Sequence, residues 1–307
     1  ISVALLFLTF WSQSSTFAGN EKSGSTAFKF LSIPVGSRLV AMGGSGIAIV
    51  NGPISMYWNT AGLASTEHGS AVFSYTDYLL DVKHFYAGVA YNFEGVGVFG
   101  LNLTGMDFGD IPETVAIPVA GSNFTGKNIT SNHFAIGLSY ARQFSDELAA
   151  GGTIKLINEE LDNETATGVA LDVGTQFSTG WRHLRIGAQL SNFGLDVKFL
   201  EEEHKLPLTF RVGFAIDSRG FFENNDHVVT LALDVLNQND KEQLVPVGIE
   251  YRYSKYFSLR AGYTINRDET NLSFGGGLHL GGLSIDYAFS DMQFFDAVNR
   301  FSIAFDF

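Results

Sequence analysis

The residues best able to do chemistry in this sequence are isolated charges set among small side chains. Charged residues make up only 17% of the 307 residues. Eight charges occupy the less apolar face of alternating segments: Lys155, Asp172, Arg185, Arg211, Asp234, Glu250, Arg252 and Arg260. Both signs occur on neighbouring segments, which favours a network of ion pairs over a selectivity ring of one sign. A permeation path is the alternative interpretation of the same residues.

The sequence contains none of the usual motifs for metal binding, catalysis or nucleic-acid recognition. The seven histidines form no i, i+4 pair and no H-E-x-x-H, and no G-x-S-x-G occurs, so we predict no metal site, no cofactor and no enzyme activity. The absence of cysteine removes thiolate sites and disulfides. A formal net charge of −13 leaves no basic stripe for a phosphate backbone, which argues against nucleic-acid binding.

The charges belong to a sequence that alternates with a period of two from Gly69 onward. One example is the set Val245, Val247, Ile249, Tyr251 and Tyr253, which alternates with Pro246, Gly248, Glu250, Arg252 and Ser254. The surface of a soluble sandwich would be rich in Lys and Glu. Here the second face is mostly Gly, Ala, Ser and Thr, as is typical of the inside of a membrane barrel.

Counting these runs predicts an all-β fold, a 14-stranded antiparallel transmembrane β-barrel over residues 69–307. Most runs are about nine to twelve residues long, which suits tilted strands that cross a bilayer. The predicted strands are 69–76, 83–93, 96–106, 130–143, 147–158, 166–178, 183–192, 208–217, 227–237, 244–254, 257–266, 272–280, 283–290 and 299–307.

The connections alternate in length, as they do in outer-membrane barrels. Tight turns are predicted near Asn92–Gly95, Phe144–Asp146, Thr179–Arg182, Lys255–Tyr256 and Gly281–Gly282. Longer external loops are predicted at Asp107–Ile129, Glu159–Thr165, Asn192–Pro207 and Asp291–Val298. Ser218–Asp226 is a long connection on the short side. We expect a location in the bacterial outer membrane, with both termini periplasmic and with outer-membrane lipid and lipopolysaccharide as surroundings.

Both ends of the chain fit export to that membrane. Residues 1–18 contain the apolar run ALLFLTFW and are expected to be part of a signal peptide cleaved after Ala18. A membrane helix is the weaker alternative, because a span needs about twenty apolar residues. The last strand alternates Phe301, Ile303, Phe305 and Phe307, like the C-terminal signal of outer-membrane proteins.

Residues 19–68 lack sustained alternation and are predicted to form a short helical hatch in the barrel lumen. Short helices are expected at Ser37–Met42 and Ile54–Leu63, with Gly43–Gly44 ending the first. The residues assigned to this plug are Arg38, Met42, Gly43, Gly44, Trp58, Asn59, Gly62 and Leu63. Trp58 and Asn59 can offer an indole N–H and an amide to acceptors in the lumen. Direct contact with a ligand is the alternative to this structural role.

The same segment resembles the PorV/PorQ family of outer-membrane proteins, within the FadL-like superfamily of fourteen-stranded barrels. The resemblance covers about forty residues and rests on FLSIPVGSRLVAMGGSGIA and WNTAGLA. Thr60 replaces the proline usual in the family's W-N-P-A-G-L-A, so the turn after Asn59 is expected to be less rigid.

One irregularity lies in the third predicted strand, EGVGVFGLNLTG. The apolar residues pass from Val96 and Val98 to Leu101 and Leu103, which predicts a bulge near Phe99 and Gly100. FadL-like transporters use a kink in the third strand as a side opening, so the resemblance makes Phe99 and Gly100 a candidate lateral gate. An ordinary bulge is the alternative.

The resemblance implies a role in type IX secretion, in which external loops bind an exported cargo protein and deliver it with the secretion translocon. The loops Asp107–Ile129 and Asn192–Pro207 would make those contacts. The alternative function is a FadL-like transporter of a hydrophobic small molecule.

Overall fold

The structure is a computed structural model that describes residues 25–80, 82–109, 111–117, 121–162, 164–199, 202–222, 226–267, 272–292 and 296–307. The predicted signal peptide, residues 1–18, lies outside the described residues. Among those that are described, no helix is long and apolar enough to cross a membrane.

Fourteen antiparallel strands close into a barrel, as the alternation predicted. In chain order they are β1 Gly69–Asp77, β2 Lys83–Phe93, β3 Gly97–Asp107, β6 Ser131–Gln143, β7 Leu148–Leu161, β8 Glu164–Ser178, β9 Arg185–Gly194, β12 Thr209–Asp217, β13 His227–Gln238, β14 Val245–Tyr253, β15 Phe257–Ile265, β16 Leu272–Leu280, β17 Leu283–Ser290 and β18 Val298–Asp306. The first and last of these strands pair with each other, with Ser74 opposite Ser302, and this seam completes the ring.

Two pairs of strands stand outside the barrel, in the connections predicted as long loops. They are β4 Ile111–Ile117 with β5 Gly121–Ile129, and β10 Val197–Phe199 with β11 Glu202–His204. The prediction of a long connection at Glu159–Thr165 is wrong. β7 continues to Leu161 and β8 begins at Glu164, because cross-strand pairing carries on through polar residues such as Glu159 opposite Ala166.

The two faces of the wall carry the predicted character. Leucine, valine and phenylalanine side chains on the outward face are about half exposed, as for Leu101, Leu138 and Phe301 at 52%, 56% and 53%. The charges Asp172, Asp234 and Glu250 are at most 3% exposed on the inward face. Alternation along each strand therefore separates a lipid-like surface from an enclosed polar interior.

We call the end of the barrel with the tight connections the turn end, and the opposite end the loop end. Outward aromatic rings gather near the turn end, where Tyr91, Phe93, Phe99 and Tyr140 form a chain with centroid distances of 5.1, 5.7 and 5.0 Å. Such rings are typical of the interface between hydrocarbon and headgroups in membrane barrels.

The bulge predicted near Phe99 and Gly100 is wrong. β3 pairs without a register shift with β2 on one side and with β6 on the other. The apolar phase does not change, because Val98 already faces inward with an exposure of 2%, whereas Phe99 and Leu101 face outward. Val98 is apolar because it packs against buried Met56 and Leu63 rather than against lipid.

An irregularity lies instead between β8 and β9. The pairing shifts at Asp172, which faces two residues of β9, and Asn192 there has a φ of +59°. The Asp172 carboxylate accepts the Asn192 N–H at 2.8 Å and pairs with Lys155 at 2.8 Å. A buried carboxylate thus satisfies the backbone group that the bulge releases from the ladder.

The assignment of the outward face can be tested at Leu138, near the middle of β6. Leu138→Arg is expected to lower the free energy of unfolding in lipid vesicles by about 2–4 kcal/mol, because a charge at the bilayer midplane loses its hydration. Val115→Arg is the matched control, since Val115 is exposed on β4 outside the barrel. Equal effects of the two substitutions on the urea unfolding transition would contradict the assignment.

Candidate functional site

The N-terminal segment, residues 25–68, packs against inward-facing side chains of the wall. It contains 3-10 helices at Lys29–Ser32 and Thr60–Ser65 and two short α-helices, α1 Ser37–Ala41 and α2 Ser55–Trp58. α1 ends at the predicted glycines, where Gly44 has a φ of +86° and its N–H donates to the Leu39 carbonyl at 2.8 Å. A side chain is strained at such a φ, which explains the glycine at this helix end.

Asp234 of β13 holds the turn that follows α1. Its carboxylate accepts the Gly46 N–H at 3.1 Å and the Ile47 N–H at 3.3 Å. The adjacent Arg211 of β12 lies 3.8 Å from Asp234 and donates to the Gly44 carbonyl at 2.9 Å. The Arg211 guanidinium also stacks over the Trp58 ring, 4.8 Å from its centroid. This pair of wall charges therefore fixes both the backbone and an aromatic ring of the segment.

Glu250 of β14 anchors α1 itself. Arg38 donates through Nε and a terminal nitrogen to the two carboxylate oxygens, at 2.9 and 3.0 Å. Glu250 also accepts Arg260 Nε at 2.7 Å, and Arg260 reaches Asp286 at 2.5 Å. The Glu250 carboxylate raises the pKa of Arg38 above its ordinary value. The result is a chain of charges that links the segment to three strands.

Trp58 and Asn59 both find acceptors, but in different places. Asn59 donates to the Ile47 carbonyl at 3.1 Å and to the Thr175 carbonyl of β8 at 3.0 Å, so it bonds both to the segment and to the wall. Trp58 Nε1 donates at 2.9 Å to the Val35 carbonyl, which belongs to the segment and not to the wall. Thr60, which stands where the resembled family has proline, shares a hydrogen bond of 3.0 Å with Thr153 of β7.

The segment also spans the seam between β1 and β18. The Gly36 N–H donates to Ser74 Oγ of β1 at 3.2 Å, and the Ser37 N–H donates to Ser302 Oγ of β18 at 2.9 Å. Ser302 and Ser74 are themselves hydrogen-bonded at 3.0 Å. Two successive backbone amides are thus bound by the two strands whose pairing closes the barrel.

Glycines on the wall let the segment approach closely. A Cβ atom added at Gly262 of β15 would overlap the backbone of Met42 and Gly43. A Cβ added at Gly43 would lie 2.9 Å from the Tyr263 nitrogen, and Gly43 has a φ of +71°. Gly62 is enclosed in the same way, because a Cβ there would meet the Val50 backbone and Ser55. Met42 and Leu63 are fully buried at 0% exposure.

The predicted charge network is therefore several separate clusters. Lys155 with Asp172, Arg211 with Asp234, and Arg260 with Glu250 are each brought together. Arg185 lies 3.4 Å from Asp217, which also binds Arg219 at 2.7 Å. Arg252 lies among these groups near the turn end, but no salt bridge from it to a described carboxylate is found.

Two chambers flank the segment inside the barrel. The turn-side chamber, of about 670 Å³, is lined by charged groups that include Arg38, Arg185, Asp217, Glu250 and Arg252. The loop-side chamber, of about 420 Å³, is lined by the apolar side chains Phe30, Ile33, Met106, Phe108 and Met292 and by the cations Lys29, Lys241, Arg267 and Arg300. Its size and mixed lining are typical of a site for a small molecule.

Several residues in or beside the loop-side chamber were not predicted from the sequence. Glu159 was placed in a loop, yet it belongs to β7, lines the chamber and accepts the Phe28 N–H at 3.0 Å. His84, which lies opposite Met106 across the sheet, was considered only as part of a metal motif, but it is 1% exposed. Arg300 could have been found, because it precedes Phe301 in the alternating last strand and therefore had to face inward.

Comparisons with known proteins identify the fold. No protein-family model and no curated protein matches the sequence. Among solved structures, the chain is similar to the CymD monoaromatic hydrocarbon channel, with 13% identity, a TM-score of 0.61, and coverage of 89% of this chain and 97% of that one. A Pseudomonas aeruginosa FadL homologue gives 10% identity, a TM-score of 0.60, and coverage of 90% and 99%. The Pseudomonas putida toluene transporter TodX gives 12% identity, a TM-score of 0.58, and coverage of 87% of this chain and 95% of that one.

These similarities show that the chain has the fold of a FadL-type β-barrel, and two of the three proteins are named as a channel and a transporter. At such low sequence identity, the similarities establish the fold and not the function. They provide no support for the PorV/PorQ resemblance in particular.

The anchoring of α1 can be tested at Glu250. Glu250→Gln is expected to lower the free energy of unfolding by about 3–5 kcal/mol, because it leaves the partly buried Arg38 and the buried Arg260 without their shared carboxylate. Asp306→Asn is the control, since Asp306 is exposed at the rim. Urea titration of the barrel in detergent micelles gives both values. A loss below about 1 kcal/mol, which is what a solvent-exposed ion pair contributes to stability, would contradict the proposed anchoring.

The close packing of the segment can be tested at Gly262. Gly262→Ala is expected to push residues 42–47 away from β15 and to speed hydrogen exchange of their amides at least tenfold. Gly276→Ala is the matched control on the neighbouring strand, where the nearest atom to an added Cβ is the Ser258 carbonyl oxygen at 3.5 Å. Mass spectrometry of peptides covering 36–50 measures the exchange. Identical exchange in both variants would refute the contact.

Proposed function

We propose that this barrel takes up a hydrophobic small molecule across the bacterial outer membrane, with residues 25–68 acting as its hatch. The observation that carries the proposal is the loop-side chamber, in which Phe30, Met106 and Phe108 supply an apolar wall. The segment contributes Phe30 and Ile33 to this chamber, so a ligand held there would touch the hatch directly. We assign the loop end to the cell exterior and both termini to the periplasm.

The fold supports the same proposal. Two of the similar structures are described as a monoaromatic hydrocarbon channel and a toluene transporter. A neutral or weakly polar aromatic molecule would fit the apolar part of the loop-side chamber, whose volume is about 420 Å³.

Passage beyond the chamber requires the hatch to move. Phe99 and Gly100 remain the proposed lateral gate, although the bulge that suggested them is absent. A Cβ at Gly100 would lie 2.5 Å from the Met56 sulfur, so this part of β3 is held against α2. Opening β3 toward the bilayer would therefore have to follow a displacement of Met56.

Uptake can be measured with 1-N-phenylnaphthylamine, an aromatic dye that an intact lipopolysaccharide layer excludes and that fluoresces in membranes. Bacteria that produce the barrel are expected to take up the dye severalfold faster than bacteria without it. Ile33→Trp should abolish this gain by filling the chamber, whereas Leu195→Trp, at a loop residue with 87% exposure, should preserve it. Equal rates with and without the barrel would refute the proposal.

A second candidate is a PorV/PorQ-type accessory role in type IX secretion, with an exported cargo protein and the secretion translocon as partners. The motif of residues 30–64 and the β4–β5 pair outside the barrel favour it. On this hypothesis, deleting residues 111–129 would abolish retention of cargo on tagged barrel from the native host and leave dye uptake unchanged. Retention unaffected by the deletion would remove the β4–β5 pair as the docking surface.

A further inference from the structure

Arg300 is a buried guanidinium in the wall of the loop-side chamber. It is 4% exposed on β18, and one terminal nitrogen donates to Ser290 Oγ at 3.3 Å. Its Nε has no hydrogen-bond partner, and no described carboxylate lies within salt-bridge distance of it. The other buried arginine, Arg260, pairs with both Glu250 and Asp286. Arg300 therefore differs from the cations that hold the segment in place.

A second unsatisfied polar group lies on the same row of the wall. Thr76 of β1 is opposite Arg300 on one side and opposite His84 on the other. His84 is 1% exposed, and neither ring nitrogen has a hydrogen-bond partner. Since strands lie about 4.8 Å apart, the two side chains start roughly 10 Å from each other.

Another side of the chamber is apolar and aromatic. Phe108 and Phe30 pack against the His133 ring with centroid distances of 4.6 and 5.7 Å. Met106, which is opposite both His84 and His133 across the sheet, joins these rings. The chamber therefore combines the buried Arg300 with an apolar, aromatic side.

Charges elsewhere in the chamber already have partners. Lys29 pairs with Asp240, and Glu159 accepts the Phe28 N–H and lies 4.0 Å from His133. Lys241 and Arg267 are likewise engaged. An unpaired buried charge costs several kcal/mol unless a counter-charge meets it. A guanidinium is best met by a carboxylate, whose two oxygens match its fork of donors.

We propose that the loop-side chamber binds an organic carboxylate with a compact apolar body. The carboxylate accepts hydrogen bonds from Arg300, and the apolar body lies against Phe108, Phe30 and Met106. The volume of about 420 Å³ favours an arylalkyl acid over a long extended chain. The inference rests on the proposed uptake function for its biological use, because it names the class of molecule taken up, but binding can be measured without transport.

Binding is measured by equilibrium dialysis of the full barrel in nanodiscs, with empty nanodiscs as the blank for partition into lipid. The probes are radiolabelled 4-phenylbutyrate and its neutral counterpart 4-phenylbutan-1-ol, which have similar shape. The acid is expected to bind at least tenfold more tightly than the alcohol. Equal affinity, or saturable binding of chloride alone, would overturn the proposal.

Arg300→Gln should weaken binding of 4-phenylbutyrate at least tenfold and leave that of the alcohol unchanged. Arg185→Gln is the matched control in the turn-side chamber and should change neither. Phe108→Ala should weaken both probes, because both use the apolar side. Unchanged binding of the acid to Arg300→Gln would refute the assignment of Arg300.

Folding of Arg300→Gln is checked by its thermal midpoint, which should not fall, since the substitution removes a buried charge that no described carboxylate meets. If that variant fails to fold, Arg300→Lys takes its place. It keeps the charge but loses the fork of donors, so it should weaken the acid severalfold and the alcohol not at all. An Arg300→Lys barrel that binds the acid like the wild type would overturn the proposal.

The two proposals fail separately. Dye uptake without selective binding of 4-phenylbutyrate would remove the carboxylate inference and keep the uptake function. Selective binding without any uptake would keep the carboxylate site and remove the uptake function.

Discussion

Charged groups inside this barrel are shielded from bulk water, so each buried carboxylate has to be met by donors within the protein. Asp234 is met by two backbone N–H groups of the N-terminal segment and by Arg211. Glu250 is met by Arg38 of the segment and by Arg260 of the wall. The acids belong to the barrel and many of their donors to the segment. Satisfying the wall therefore requires the segment to lie in one particular position.

That requirement shapes the interior. The ion pair with Glu250 holds α1 against β14, and Asp234 holds the following turn against β13. In this position the backbone of Gly43 lies in close contact with Gly262 of β15. The segment then contributes to two chambers of different character. In the turn-side chamber most charges neutralise one another. In the loop-side chamber no described carboxylate pairs with buried Arg300, and this is where the proposed anionic ligand would bind.

Much of this fold could be predicted because the side chains of a barrel strand face lipid and lumen in turn, which gives the sequence a period of two. The alternation located all fourteen strands to within a few residues and assigned Glu250, Asp234 and Arg260 to the inside. It failed where an inward residue is apolar for another reason. Val98 looks like a lipid-facing residue, but it packs against Met56 and Leu63, so a bulge was predicted in β3 where none exists.

The site was less accessible, because it depends on which strands are neighbours across the ring and on how the segment folds. Nothing in the local sequence indicates that Glu159 accepts a hydrogen bond from Phe28, 131 residues away. The actual bulge at Asn192 also carries no glycine or proline signal, since its stability comes from the distant Asp172 and Lys155. Nor does the local sequence indicate that the Trp58 indole donates to the Val35 carbonyl.

The hydrogen bonds of Gly36 and Ser37 to Ser74 and Ser302 have a consequence for assembly. Ser74 belongs to the first barrel strand to be synthesised and Ser302 to the last, so the pair of acceptors exists only once the ring has joined. The N-terminal residues therefore cannot reach their final position until the last strand has paired with the first. Biogenesis should end in one cooperative step, in which β1 and β18 pair and the N-terminal residues bind across their junction.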